Sequence, residues 1–326
     1  MRRCSTPFTI APALLLATIS TMPAAQAQNY PVKPVRIVSA FAPGGTNDVI
    51  ARIISQKLTD LLGQQFIVEN KAGGGGVAGT EFAARAAPDG YTLSIATTTT
   101  HVIAAALRKL PYDPVKDFSP ISLIGITPYV VIVHPSLPVR NMKELIALAK
   151  VRPVQIEYGS GGVGTPGHLA GEMLNTMTGI KMLHIPYKAG NLALNDLLGG
   201  HVSLTFSTTI TSTQFVQSGR LRGIAVTSQK RLPVFPDLPT VAESGVPGYE
   251  FSLWLGLTAP AGTPEAVIQR LHDAVVKSLQ SESVRSALAS QSVEPLTLAP
   301  AAFAKRIASD FITYENIVKQ SGASLN

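Results

Sequence analysis

Cysteine is all but missing from this chain, and that absence narrows the chemistry at once. The single thiol, Cys4, stands ahead of an apolar run, whereas a lipid-anchoring cysteine would follow one. If the segment holding it is removed, as argued below, neither disulfides nor thiol catalysis remain. Charge is sparse too, at 14% of residues, and aromatics reach only 6%. The formal charge of +7 is scattered, with no basic run and little aromatic interleaving, so nucleic acid is not indicated as a partner. No stretch approaches the ~18 uninterrupted apolar residues that a membrane-spanning helix needs. The six histidines show no His-Glu-x-x-His spacing. His168 and Glu172 are a helical turn apart, but two ligands without a third make no catalytic zinc site. No Gly-x-Ser-x-Gly elbow surrounds Ser160, which argues against an exported hydrolase. No repeat or low-complexity segment appears.

What is present begins at the N-terminus. Residues 1–27 carry Arg2 and Arg3, an apolar run over 11–19, and a small-x-small end at Ala25-Gln26-Ala27. That pattern predicts a leader peptide cleaved after Ala27 and an unfolded chain exported to the periplasm. The apolar run is too short to span a bilayer. Removing Arg2 and Arg3 leaves a charge of about +5. At 45% hydrophobic residues, the remainder has material for one large or two medium cores.

Past residue 30, short strands alternate with helices, which predicts α/β layers with largely parallel sheets. Strands are expected at 35–40, 65–69, 91–96, 121–133, 155–158, 183–187, 202–206, 221–226, 250–257 and 293–298. The stretch 35–62 reads as a buried strand running through Pro43-Gly44-Gly45 into an amphipathic helix, with Thr46 at the N-cap and Gly63 at the stop. Glycine lets such a loop turn sharply and lets a ligand approach its backbone. The helix then offers unpaired N–H groups and its positive dipole end, a ready anion site. A second unit of this kind spans 155–178, where Gly159-Ser160-Gly161-Gly162-Val163-Gly164 leads to Thr165 at the N-cap and Pro166 at the first helical position. A capping box is expected at Asn141 and Glu144, and another helix start at Thr263-Pro264. Two long β-branched runs, 119–134 and 250–260, look like crossings between domains. They divide the chain into a discontinuous domain of residues 28–124 plus 255–326 and a second of 125–254, with a hinged cleft between them.

One rival reading is enzymatic. Gly74-x-Gly76-x-x-Gly79 matches the dinucleotide fingerprint. The next strand, TLSIATTTT, lacks the acidic residue that a ribose requires, and a protein exported unfolded would not meet the cofactor. No cofactor is expected, and a binding protein is favoured over an enzyme.

The ordered blocks PVKPVRIVSAFAPGGTNDVIAR, ENKAGGGGVAGTEFAARAAPDGYTL, LPYDPVKDFSPISLI, YGSGGVGTPGHLAGEML, IPYKAG, DLLGG, LRGIAVTS, LPTVAESGVPGYE and GLTAPAGTP run from about Tyr30 to the C-terminus. As a set they resemble the Bug family, the periplasmic solute-binding proteins of tripartite tricarboxylate transporters. The resemblance implies a two-domain periplasmic binding protein of type II, a Venus flytrap. Such a monomer would bind a small carboxylate-containing molecule and deliver it to integral membrane permease subunits. The same fold is compatible with a ligand-sensing partner of a membrane sensor kinase. Carried over residue by residue, the resemblance points to Phe41, Gly44, Gly45, Thr46 and Asp48 on one wall of the cleft. On the other it points to Ser160, Gly161, Gly164, Thr165 and His168. Asp48 in a first helical turn also suits the helix dipole, and His168 suits either ligand contact or loop capping. Trp254 and Phe41 are expected as apolar cleft walls. Ser207 stands where many family members have aspartate, which disfavours a ligand amine, and Thr97 to Thr100 add neutral hydroxyls.

Overall fold

The computed structural model describes residues 30–321; the expected leader peptide, with Cys4, lies outside them. Residues from Pro31 onward form one compact unit. The first third alternates as the sequence pattern requires. β1 (Val35–Ser39), α1 (Thr46–Leu62), β2 (Phe66–Asn70), α2 (Val77–Ala84), β3 (Thr92–Thr97) and α3 (Ala104–Leu107) follow in turn. A 3-10 turn at Gly74–Gly76 precedes α2, and a π turn at Thr99–Ile103 precedes α3. The long β4 (Phe118–Val133) then leads to α4 (Met142–Val151), β5 (Glu157–Ser160), α5 (Pro166–Thr178), β6 (Leu183–Pro186), α6 (Gly190–Leu198), β7 (Leu204–Thr208), α7 (Thr209–Gln217) and β8 (Arg222–Val226). The chain closes with β9 (Ser252–Pro260), α8 (Glu265–Leu279), α9 (Glu282–Ser290), β10 (Glu294–Pro295) and α10 (Pro300–Ser321). Each of the ten expected strands has its counterpart, and the fold is mixed α/β.

One 10-stranded sheet runs β2-β1-β3-β9-β4-β7-β5-β6, with β8 and β10 also paired to β4. β4 is its spine and changes partners at Pro128: Phe118 to Pro128 pair with β9, and Tyr129 to Val133 pair with β7 and β8. Thr227 fastens the crossing, its hydroxyl taking the Tyr129 N–H at 2.8 Å and lying 2.6 Å from the Phe251 carbonyl.

Strand direction decides what this arrangement brings together. β1, β2 and β3 are mutually parallel, and β3 reaches β4 through antiparallel β9, so all three run in the direction of β4. β7 is antiparallel to β4, and β5 and β6 follow β7. The C-terminal ends of the two parallel sets therefore face one another along the spine. The register agrees: Thr97 at the end of β3 is level with Leu255 and thus Gly125, while Thr208 at the end of β7 is level with Tyr129. Both families of glycine turns emerge at the same stretch of β4.

Helix starts show where local rules hold and where they slip. At α4, Asn141 Oδ1 accepts the Glu144 N–H at 3.0 Å, and Glu144 Oε2 reaches back to the Arg140 N–H at 2.7 Å. This is the expected capping box with its return bond one residue early. Replacing Asn141 with alanine should destabilise the protein by ~1 kcal/mol, measurable by denaturant titration. At α1, Gly45 takes the N-cap position that Thr46 was expected to hold, and Thr46 opens the helix. At α8 the cap is Pro264, one residue past Thr263. Both shifts follow from extended dihedrals that glycine and proline adopt without strain.

Candidate functional site

On the β7 side of the spine, three strand-to-helix turns open onto one cavity of about 350 Å³. β5, β6 and β7 lead into α5, α6 and α7, whose N-cap residues are Thr165, Ala189 and Thr208. None of these caps accepts a first-turn amide through its side chain, the Thr208 hydroxyl lying instead 3.0 Å from that of Thr211. The amides there stay available, and the three dipoles add their positive ends at one place. The lining includes Ser160, Gly161, Thr165, Gly190, Asn191, Ser207, Thr208 and Thr211, and it contains no charged side chain. Glycine is needed at the contact between the first two turns: a Cβ on Gly161 would come within 3.0 Å of the Gly190 nitrogen. A larger cavity of about 540 Å³ lies between α7, α8, α9 and β10. Its lining is mostly aliphatic and presents no convergence of strand ends with helix starts, so size does not select the site.

The shape of the Ser160 turn is fixed from within. Ser160 Oγ accepts the Gly162 N–H at 3.1 Å and sits 2.6 Å from His184 Nε2 on β6. Thr165 occupies its expected position, but its hydroxyl turns back to donate to the Gly162 carbonyl at 2.7 Å and caps no helical amide. Gly164, at φ +76°, donates its N–H to His168 Nδ1 at 3.1 Å. Gly164 and His168 thus stand behind the cavity wall. A Cβ on Gly164 would meet Leu107 of α3 at 2.8 Å, which shows how closely this turn abuts the elements after β3. Burial pushes the His168 imidazole down to about 4. Burial, and then the neighbouring His168, do the same for His184.

The turn after β1 is anchored by a carboxylate. Asp48, buried in the first turn of α1, accepts from the Gly44 N–H (2.9 Å) and Asn70 Nδ2 (2.8 Å). The Arg52 fork supplies Nε to one oxygen at 3.1 Å and Nη2 to the other at 3.0 Å. Asn70 also holds the Phe41 carbonyl at 3.1 Å. Burial alone would raise the Asp48 carboxyl, but the bonds from Arg52, Gly44 and Asn70 hold it down at about 2. Phe41 is half-buried, and its ring lies where a side chain on Gly76 would collide.

The twelve expected site residues therefore do not share one lining. Ser160, Gly161, Thr165 and Ser207 line the cavity, with the Ser207 hydroxyl 2.8 Å from that of Thr211. Gly164 and His168 support it. Phe41, Gly44, Gly45, Thr46 and Asp48 belong to the opposing turn, outside the lining. Thr97 is buried, and its hydroxyl is 3.1 Å from that of Thr100. Trp254 is not a cleft wall: it is 1% exposed, packs edge-on against Phe303, and donates Nε1–H to Asp310. A satisfied indole in the core has no face left for a ligand. Sequence reading missed Gly190, Asn191, Thr208 and Thr211. For Gly190 and Asn191 the one signal was the Lys188-Ala189-Gly190 step after β6, which lacks the Ser, Thr, Asp or Asn that marks a helix start; for Thr208 and Thr211 it was the hydroxyl run after Phe206.

Comparison with known proteins decides the family. A family model described as tripartite tricarboxylate transporter family receptor matches residues 50–323. Protein BugT of Bordetella pertussis is 34% identical over 314 residues, covering 96% of each chain. This chain belongs to the tripartite tricarboxylate transporter receptor family. Among solved structures, R. palustris Rpa4515 with adipate is 36% identical, with 91% of this chain and 100% of that one covered and a TM-score of 0.70. MatC from Rhodopseudomonas palustris with bound malate is 30% identical, with 89% and 100% covered and a TM-score of 0.66. The receptor's fold is thus that of periplasmic binding proteins solved with small carboxylates. Among the described residues, no helix of the receptor is long and apolar enough to cross a membrane.

Proposed function

We propose that this receptor works in the periplasm as a monomer, takes up a small carboxylate-containing molecule, and hands it to integral membrane permease subunits of its transporter. It acts by binding and not by catalysis. One observation carries the reading: three uncapped helix N-termini converge, at the C-terminal ends of parallel strands, on a cavity without a charged side chain. Such a site suits an anion because fixed amide dipoles neutralise it without a cation that would also have to be desolvated. Ligands of open α/β sheets bind at strand C-termini where the connection order reverses. The adipate and malate of the solved relatives are anions of this kind. The far wall of Ser207, Thr208, Thr211 and Asn191 offers hydroxyls and an amide, so it suits neutral polar substituents and gives an amine no carboxylate partner.

The turn after β1 is the second wall. On this reading, residues 28–124 with 255–326 form one lobe, 125–254 form the other, and the partner switch of β4 at Pro128 is where they hinge. Each turn satisfies part of a small anion, so ligand favours the closed arrangement. A thermal-shift screen of mono-, di- and tricarboxylates, amino acids and aromatic acids tests the ligand class. Saturation at ~100 times the dissociation constant adds roughly 2.7 kcal/mol of stability. Small-angle scattering should show a smaller radius of gyration with the best-binding acid. No shift with any acid would overturn the ligand class, and an unchanged radius would overturn the two-wall arrangement.

A further inference from the structure

His168 is buried, yet its ring does not line the cavity. What it does is accept the Gly164 N–H on Nδ1 at 3.1 Å. That bond fixes the tautomer, because an acceptor nitrogen carries no proton and the ring N–H must then be on Nε2. The ring lies nearly parallel to Tyr158, 7° off at 6.5 Å, and 4.0 Å from His184. His184 in turn meets Ser160 Oγ, which holds the Gly162 N–H. Two neighbouring histidines thus shape the turn that forms the cavity wall, one through Gly164 and one through Ser160. We propose that His168 is a positioning residue: its neutral Nδ1 holds the Gly164 amide and so the turn in its ligand-binding shape, and proton uptake there releases the turn and the ligand. The proposal rests on reading this turn as a ligand wall.

Protonated, Nδ1 becomes a donor facing a donor, and the bond is lost outright. The charges around the ring give the imidazolium little help. On β6 it faces His184, which would add like charge. On β5 it faces Tyr158, whose hydroxyl is engaged by Glu172 and by the His168 carbonyl. Glu172 stands on its own helix, and β7 carries no charged residue. α10, which packs on α5, holds Arg306 tied to Asp310 and Glu250. Burial sets the His168 midpoint at about 4, so the turn stays latched in neutral and mildly acidic surroundings and opens below them.

Two variants separate positioning from simple packing. In His168→Asn, the amide oxygen takes the place of Nδ1 as acceptor and does not titrate. In His168→Leu, the acceptor is gone at every pH. Nuclear magnetic resonance of the ligand-free full-length receptor should show the Gly164 amide moving together with the His168 ring as pH falls from 7 to 3.5. That movement should vanish in His168→Asn, and the amide should exchange freely at all pH in His168→Leu. With adipate as probe, parent affinity should fall, relative to His168→Asn, by about tenfold per pH unit below the His168 midpoint. Protonation of adipate itself is common to both proteins and cancels. A Gly164 amide indifferent to His168 titration, or identical pH profiles for the parent and His168→Asn, would overturn the proposal. If adipate fails to bind the parent at pH 7, the choice of adipate as ligand fails, and the ligand-free amide titration still decides this question.

Discussion

Gly161→Val should abolish ligand binding while leaving a folded protein. Neither Gly161 nor Gly45 has a positive φ, so backbone strain asks for glycine at neither; a Cβ on Gly45 would make only ordinary contact, 3.5 Å from the Ala42 carbonyl, whereas Gly161 is tight. A Cβ on Gly161 would stand 3.0 Å from the Gly190 nitrogen, at the junction of two of the three helix starts proposed to hold the ligand, and the valine methyls would reach further. Blocking one or two charge-assisted amide bonds, at ~1.5–3 kcal/mol each, weakens binding by about tenfold at the least and about 10,000-fold at the most. Folding should lose only the ~0.5–3 kcal/mol usual for single changes. Gly63→Ala supplies the contrast. Gly63 ends α1 at φ +71° with open space around it, so alanine there strains the backbone and fills nothing of use. It should lower stability by ~1 kcal/mol and leave affinity untouched. Calorimetric titration with the best-binding acid, alongside circular dichroism, reads both effects. Parent-like affinity in Gly161→Val would place the site elsewhere.

Much of this was legible before the structure. The ten strands were readable because β-branched runs such as VRIVSA and TLSIA are short and bounded by glycine or proline. The two glycine turns were readable because each joins such a run to a capped amphipathic helix. Four things were not. Thr46 and Thr165 looked like caps because a hydroxyl before a helix usually finds an amide. Here glycine takes the first cap position, and the Thr165 hydroxyl finds the Gly162 carbonyl inside its own turn. That choice depends on loop geometry no propensity encodes. The α6 start was overlooked because Ala189 and Gly190 carry no capping side chain, and the absence of one is what leaves the amides open. The convergence itself is long-range. It follows from β4 changing partners at Pro128 and from the register that levels Thr97 with Gly125 and Thr208 with Tyr129. Trp254 belonged to the core for a similar reason: its indole partner, Asp310, is distant in sequence.

Asp48→Asn should lower the melting temperature by roughly 3–4 °C, the equivalent of ~2 kcal/mol in a unit of this size. The carboxylate gathers the Gly44 N–H, Asn70 Nδ2 and both arms of the Arg52 fork, and every one of these is a donor. An amide keeps one acceptor oxygen and sets an NH2 against donors at the other position, so at least one buried partner is stranded. Asn70 links this failure to the Phe41 carbonyl, and the whole turn after β1 loosens. Arg52 is half-exposed and finds water, which keeps the penalty well below that of a fully buried pair. The pH dependence distinguishes this anchoring role from ligand contact. The folded carboxyl sits near 2, below its ordinary value of 3.8, so its contribution is complete above pH ~4 and is lost as pH falls toward 2. The gap in melting temperature between parent and variant should therefore be constant from pH 5 to 8 and close between about 4 and 2. Buried His101, His168 and His184 weaken the fold between about pH 6.5 and 4 in both proteins alike, because the unfolded chain takes up protons there and the folded one does not. A variant as stable as the parent that no longer binds would instead make Asp48 a ligand contact and leave the turn to be held by its glycines.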